Sequence, residues 1–146
     1  MAVTNVITYA ALAIFSNLVS GIGGTVPKFM GIGTGAGTAA RGDTTLSTET
    51  YTTTNSGSQN QRPTGTVTRI TSSQTNDTVQ IVASAVCPAA LAPCAVTNAG
   101  IFDSLGTAAN LVTATSGGNL ALKSSFDVVN LQSGDTLQIT WQLTFS

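Results

Sequence analysis

Leu137, Ile139, Trp141, Leu143 and Phe145 alternate strictly with Gln138, Thr140, Gln142 and Thr144 at the end of this chain. Strand side chains point to opposite faces with a period of two, whereas helical ones repeat every 3.6 residues. The run therefore predicts a half-buried strand whose large residues close a core. A strand of this kind needs partner strands and a second layer to cover its apolar face.

The preceding sequence supplies both. Thr66 to Gln74 and Thr78 to Val86 flank Asn76-Asp77, a favourable hairpin turn pair. Val79, Ile81, Ala83 and Ala85 mark one face of the second strand, and Val82 and Val86 make its opposite face partly apolar. Val96 to Asp103, Asn110 to Thr115 and Leu120 to Phe126 read as further strands, and Ser133-Gly134-Asp135 as the turn into the last one. A short strand is also expected over Lys28 to Thr34. About seven short strands with Gly-rich turns predict a mainly β, single-domain, antiparallel β-sandwich of jelly-roll-like form over residues 1–146.

Two segments depart from this pattern. Residues 4–20 read as one N-terminal helix, capped by Thr4 or Asn5 and ended by Gly21, Gly23 and Gly24. Its apolar residues, Ile7, Leu12 and Phe15 among them, cover more than half the circumference, so it should lie between two surfaces. Residues 38–65 form a Thr-, Ser-, Asn- and Gln-rich stretch with little periodicity, read as a long polar arm that orders on a partner. Leu46 and Tyr51 are its large apolar anchors. Ile7, Leu12, Phe15, Leu46 and Tyr51 are thus the candidate subunit or partner contacts.

Composition narrows the function. The 146 residues contain five Lys or Arg, six Asp or Glu and no His, for a net charge of -1. An average domain of this length carries roughly 36 charged residues. Few repulsive groups leave a surface that resists association poorly, as suits a part packed against other parts. The cations are scattered singly, so nothing forms the basic stripe a nucleic-acid binder needs. The apolar run Val3 to Val19 lacks the basic leader of a signal peptide and is too short to span a bilayer, so the expectation is a protein made in the cytoplasm with no membrane partner.

Catalytic chemistry is hardly represented. Without histidine the Ser-His-Asp and Cys-His arrangements are impossible within the chain, and two cysteines with scattered carboxylates make no zinc site. Asp77, Asp103 and Asp135 fall at expected turns, where Asp serves backbone amides. No enzyme activity, cofactor or metal is expected. The glycines of Gly31-Ile32-Gly33-Thr34-Gly35-Ala36-Gly37 precede no helix, so they read as a strand end with a tight turn rather than a phosphate loop. Arg41-Gly42-Asp43 and the acceptor-like Asn76-Asp77-Thr78 are read as chance matches.

Cys87 and Cys94 bracket Pro88-Ala89-Ala90-Leu91-Ala92-Pro93. The prolines restrict the intervening loop, so the thiols can meet at its base. The sequence leaves two states open: a disulfide, or two reduced buried cysteines in a reducing cytosol.

The order of several short motifs carries a resemblance. These are Pro27-Lys28-Phe29-Met30-Gly31-Ile32-Gly33-Thr34-Gly35, Thr64-Gly65-Thr66-Val67-Thr68-Arg69, Thr97-Asn98-Ala99-Gly100-Ile101-Phe102-Asp103, and Phe126 to Leu137 with its Asn130-Leu131-Gln132-Ser133-Gly134-Asp135 turn. In this sequence they resemble small structural proteins of tailed bacteriophages, in particular head decoration (cement) proteins; similar chains are also labelled tail-fibre-like. The resemblance spans residues 3–145. It implies a β-sandwich subunit on the outer surface of an icosahedral head, associated as a homotrimer, with the major capsid protein as partner and no catalytic residues. A tail or baseplate component is the alternative. A carbohydrate-binding module is a third reading, with Tyr9 and Tyr51 as its plausible exposed rings.

Overall fold

The computed structural model describes residues 2–50, 61–106 and 117–146. Two antiparallel sheets pack as a sandwich. The larger has five strands in the order β1-β7-β6-β2-β3: β1 is Val3–Ile7, β2 Phe29–Gly33, β3 Glu49–Thr50, β6 Cys94–Phe102 and β7 Leu120–Leu131. The smaller has three in the order β4-β5-β8, with β4 Thr66–Ile70, β5 Thr78–Val86 and β8 Thr136–Thr144. One helix, α1, covers Tyr9–Ser20. The expected mainly β sandwich with one helix is the observed architecture.

The core lies between the sheets. Met30, Ile32, Ala99, Ile101 and Leu122 from the large sheet meet Ile81, Ala83, Ala85 and Trp141 from the small one. In β8 the predicted alternation holds: Trp141 is buried, Leu137, Ile139 and Leu143 are half-buried, and the Gln and Thr residues between them are exposed. Phe145 departs from it. It lies beyond the end of the strand and is 59 % exposed, although its backbone N–H still donates to Asp77 O (2.9 Å) in the register of β5 and β8.

The helix begins later than its periodicity predicts. Val3, Asn5 and Ile7 pair with Phe126, Ser124 and Leu122 of β7, so residues 3–7 are a strand rather than the first helical turn. The cap is Thr8, not Thr4 or Asn5. Its backbone is extended (φ -76°, ψ 166°), and its hydroxyl accepts from Ala11 N (3.3 Å) and donates to Leu120 O. Val6, Ile7 and Ala10 fit a helical stripe equally well, so local spacing could not separate the two; the free edge of β7 decides it. At the other end Gly21 adopts the left-handed conformation (φ 68°) that closes the helix, as expected.

The β4–β5 connection is wider than a two-residue turn. Ile70 pairs with Thr78, and the loop 71–77 folds around the Asp77 carboxylate. Asp77 accepts the backbone N–H groups of Ser72, Ser73 and Gln74 at 2.8–2.9 Å. These donors, Gln74 foremost, hold its carboxyl below the ordinary aspartate range. The expected strand Asn110 to Thr115 lies outside the described residues.

The short strand expected over Lys28 to Thr34 is β2, and Gly31 and Gly33 lie within it rather than in a turn. Phe29, Gly31 and Gly33 share the outer face of the large sheet with Phe102, Gly100 and Asn98 of β6. A Cβ on Gly31 would stand 2.8 Å from Glu49 Oε1 and 2.9 Å from the Leu46 side chain; one on Gly33 would stand 2.5 Å from Ser47 O. Glycine at every second position strips one face of the strand bare, and residues 46–49 lie directly on it. Among the described residues no helix is long and apolar enough to cross a membrane.

Cys87 and Cys94 are joined by a disulfide, with Cα atoms 6.1 Å apart. The bond links the end of β5 in one sheet to the start of β6 in the other. A loop this short gains about 2–3 kcal/mol from cross-linking. Mass analysis without reductant should find no free thiol, and chemical denaturation after reduction should show stability falling by about that amount. Gly33→Ala, which pushes a methyl into the Ser47 carbonyl, should cost about 1–3 kcal/mol by the same denaturation measurement.

Candidate interaction surfaces

The arm folds back onto its own sheet wherever it is described. Ala39 N donates to Ser125 Oγ (2.9 Å), and Lys123 Nζ donates to Asp43 Oδ2 (2.7 Å) and Thr45 O (3.2 Å). Asn98 bridges the next segment, accepting from Ser47 N (3.1 Å) and donating to Ser47 O (3.1 Å) and Gly35 O (3.2 Å). Leu46, expected to reach a partner, is instead 5 % exposed in a second small core with Phe29, Phe102 and Leu120. The bare glycine lane is what makes room for it. Tyr51 lies outside the described residues.

The far end of this layer is locked by a buried ion pair. Arg62 Nε meets Glu49 Oε1 at 2.7 Å and Arg62 Nη2 meets Glu49 Oε2 at 3.0 Å, a two-point contact. Arg62 Nη1 donates to Ser104 O (3.2 Å) and Gly117 O (2.7 Å), and the guanidinium lies 3.4 Å from the centre of the Phe102 ring. Burial pushes the Glu49 carboxyl above its ordinary value, against the pull of Arg62. The polar composition of residues 38–65 hid this pair; the sequence signal was that the chain's only Glu stands in the same arm as an Arg.

Asp43 is also committed. Besides Lys123 it accepts from Ala40 N (3.0 Å), and the Lys123 hydrogen bond leads in holding its carboxyl below the ordinary range. The carboxylate of Arg41-Gly42-Asp43 therefore serves its own fold. Arg41 lies 5.2 Å from the centre of the Tyr9 ring, which leaves Tyr9 63 % exposed but already stacked.

The helix presents two sides. Ala11 and Ile14 are buried against the sandwich, and Phe15 and Leu18 pack partly on it. Leu12 is 51 % exposed and faces away. Ile7, placed in the helix from the sequence, packs instead as a strand residue against this chain's own core.

Beyond α1 the exposed surface becomes markedly apolar. Val19 is 90 %, Ile22 80 %, Phe145 59 % and Val26 46 % exposed. A groove of about 290 Å³ runs between Phe15, Leu18, Val19 and Val26 on one side and Val67 and Phe145 on the other. Helix periodicity captured Val19. It missed Ile22 and Val26, which stand among glycines without a period, and Phe145, which the strand alternation had assigned inward. Large exposed apolar side chains gathered in one region are the mark of an interaction surface.

A second concavity, about 400 Å³, opens between the sheets along β1, β7 and β8. Trp141 borders it, and among the described residues the Trp141 Nε1 atom is the buried side-chain polar atom with no hydrogen-bond partner. Among the described residues no group of three or more Cys, Asp or Glu side chains could hold a metal ion.

Breaking the ion pair from one side should be costly, because it strands a buried charge. Glu49→Ala should lower stability by about 3–5 kcal/mol in denaturant unfolding, whereas replacing both partners, Glu49→Leu with Arg62→Met, should cost much less. Comparison with family models, with curated proteins and with solved structures finds no match to this chain.

Proposed function

We propose that this chain is a structural virion protein that binds the outer surface of an icosahedral phage head and stabilises it by bridging neighbouring subunits of the major capsid protein. One observation carries the reading. A chain with only eleven charged residues, five basic and six acidic, lines one groove with the exposed apolar side chains of Val19, Val26, Val67 and Phe145 and leaves Ile22 80 % exposed just beyond α1. Such a surface is unfavourable in water and becomes favourable only when covered.

The chemistry of the role fits the residues. A head under internal pressure is held by contact area, and a contact repeated across a symmetric shell multiplies weak individual affinities. Neutral Thr, Ser and Gln on the remaining surface add hydrogen bonds without the desolvation cost of charges. The arm takes a different part from the one its composition suggested: residues 38–50 and 61–65 stiffen the subunit, and α1 with the segment after it meets the partner.

Heads lacking the protein, mixed with the purified chain and imaged, should be coated uniformly. Val19→Asp and Ile22→Asp should weaken that binding by at least about tenfold, the scale of losing a central apolar anchor. Both sites project into solvent, so thermal unfolding should be unchanged. Binding confined to the tail, or full coating by both variants, overturns the reading.

A further inference from the structure

The apolar groove between α1 and the small sheet has one wall that can bond as well as pack. That wall ends in β4, which lies at the edge of its sheet and, among the described residues, bonds to β5 alone. Thr66, Val67, Thr68 and Arg69 are all exposed, so nothing among the described residues covers the edge. An uncovered edge strand carries a row of backbone N–H and C=O groups without partners. Every residue lining the groove beside it is apolar, from Leu18 and Val26 across to Val67, Ile81 and Phe145.

Arg69 stands on the groove side of this strand. In the register of β4 and β5, Val67 lies opposite Ile81 and Arg69 opposite Val79, and Val67, Val79 and Ile81 all line the groove. Residues two apart along a strand share a face, about 7 Å from each other. Among the described residues the Arg69 guanidinium makes no ion pair, hydrogen bond or ring contact. The four other cations are engaged: Arg62 with Glu49, Lys123 with Asp43, Arg41 over Tyr9 and Lys28 over Phe29. A free guanidinium at the rim of an apolar groove favours an occupant that brings a carboxylate, and disfavours one that brings none.

We propose that the element of the major capsid protein seated in this groove is an extended segment that adds to β4 as a strand, turns apolar side chains into the groove and sets an Asp or Glu against Arg69. The inference rests on the head-binding reading and names what the partner brings to it. In strand addition the main-chain hydrogen bonds along the edge give affinity, while the groove and the cation select the alternate side chains. A helix laid in the groove would fill it but leave the β4 backbone without partners. A second copy of this chain lacks the required strand. Among its described edge strands β1, β4 and β8 contain no acid, and the Glu49 carboxylate of β3 is buried against Arg62.

The test uses heads lacking the protein and the purified full chain. Hydrogen exchange needs no variant: deuterium uptake over residues 66–70 should slow when the chain is bound, because the free N–H groups of β4 gain acceptors. Arg69→Glu should weaken binding by at least about tenfold, since it sets two carboxylates against each other. Binding of the unaltered chain should fall with added salt, and Arg69→Gln should flatten that dependence. Arg69 is exposed, so thermal unfolding should be the same in both variants as in the unaltered chain. A chain that coats heads with uptake over residues 66–70 unchanged, an Arg69→Glu variant that coats them as tightly as the unaltered chain, or an Arg69→Gln variant with the same salt dependence overturns the proposal and leaves the head-binding reading standing. A chain that coats no head overturns both.

Discussion

The close approach of residues 46–49 to the glycines of β2 is the contact on which the layered structure depends. It covers the outer face of β2 and the facing stretch of β6, so that this part of the large sheet is buried on both faces. Every residue of β2 is accordingly buried. Leu46 then has a core to enter, Asn98 has backbone on both sides to bond, and Arg62 and Glu49 are sealed from water together. An isolated charge could not be buried there at tolerable cost. The pair is held by four hydrogen bonds from one guanidinium and by the Phe102 ring beneath it.

The small sheet has no comparable cover. It contributes three strands against five, and the disulfide and the loop 133–135 tie one end of it to its partner. Cys87 N donates to Asp135 O (2.9 Å) and Gly134 N to Cys87 O (3.0 Å), so that end is closed. Among the described residues β8 bonds to β5 alone, so its other edge is left open. The molecule is therefore tightly finished on the face covered by its own loop and unfinished along the cleft and around α1.

The scarcity of charge has two consequences that reinforce each other. Of the few charges present, Arg62 with Glu49 and Lys123 with Asp43 are spent on internal bonds, and Asp77 and Asp135 on closing loops. Little charge remains to keep the outer surface apart from other surfaces. Neutral polar side chains pair across the exposed face of the small sheet instead, as where Gln142 donates to Gln80 (3.0 Å).

Period-two alternation in β5 and β8, the glycine that ends α1 and the Asp-rich turns were all legible, because each depends on residues near in sequence. These local rules determined a mainly β chain with one helix, and the absence of histidine determined which chemistries it could not perform. What only the tertiary structure decided were choices between locally equivalent options. Residues 3–7 fit a helix or a strand until β7 offers an edge. Gly31 and Gly33 fit a turn or a bare lane until Leu46 arrives. Leu46 fits a partner's surface or its own core, and Cys87 fits a thiol or a disulfide, until Cys94 stands beside it. In each case the deciding group lies far along the chain, and its position follows from the packing of the whole.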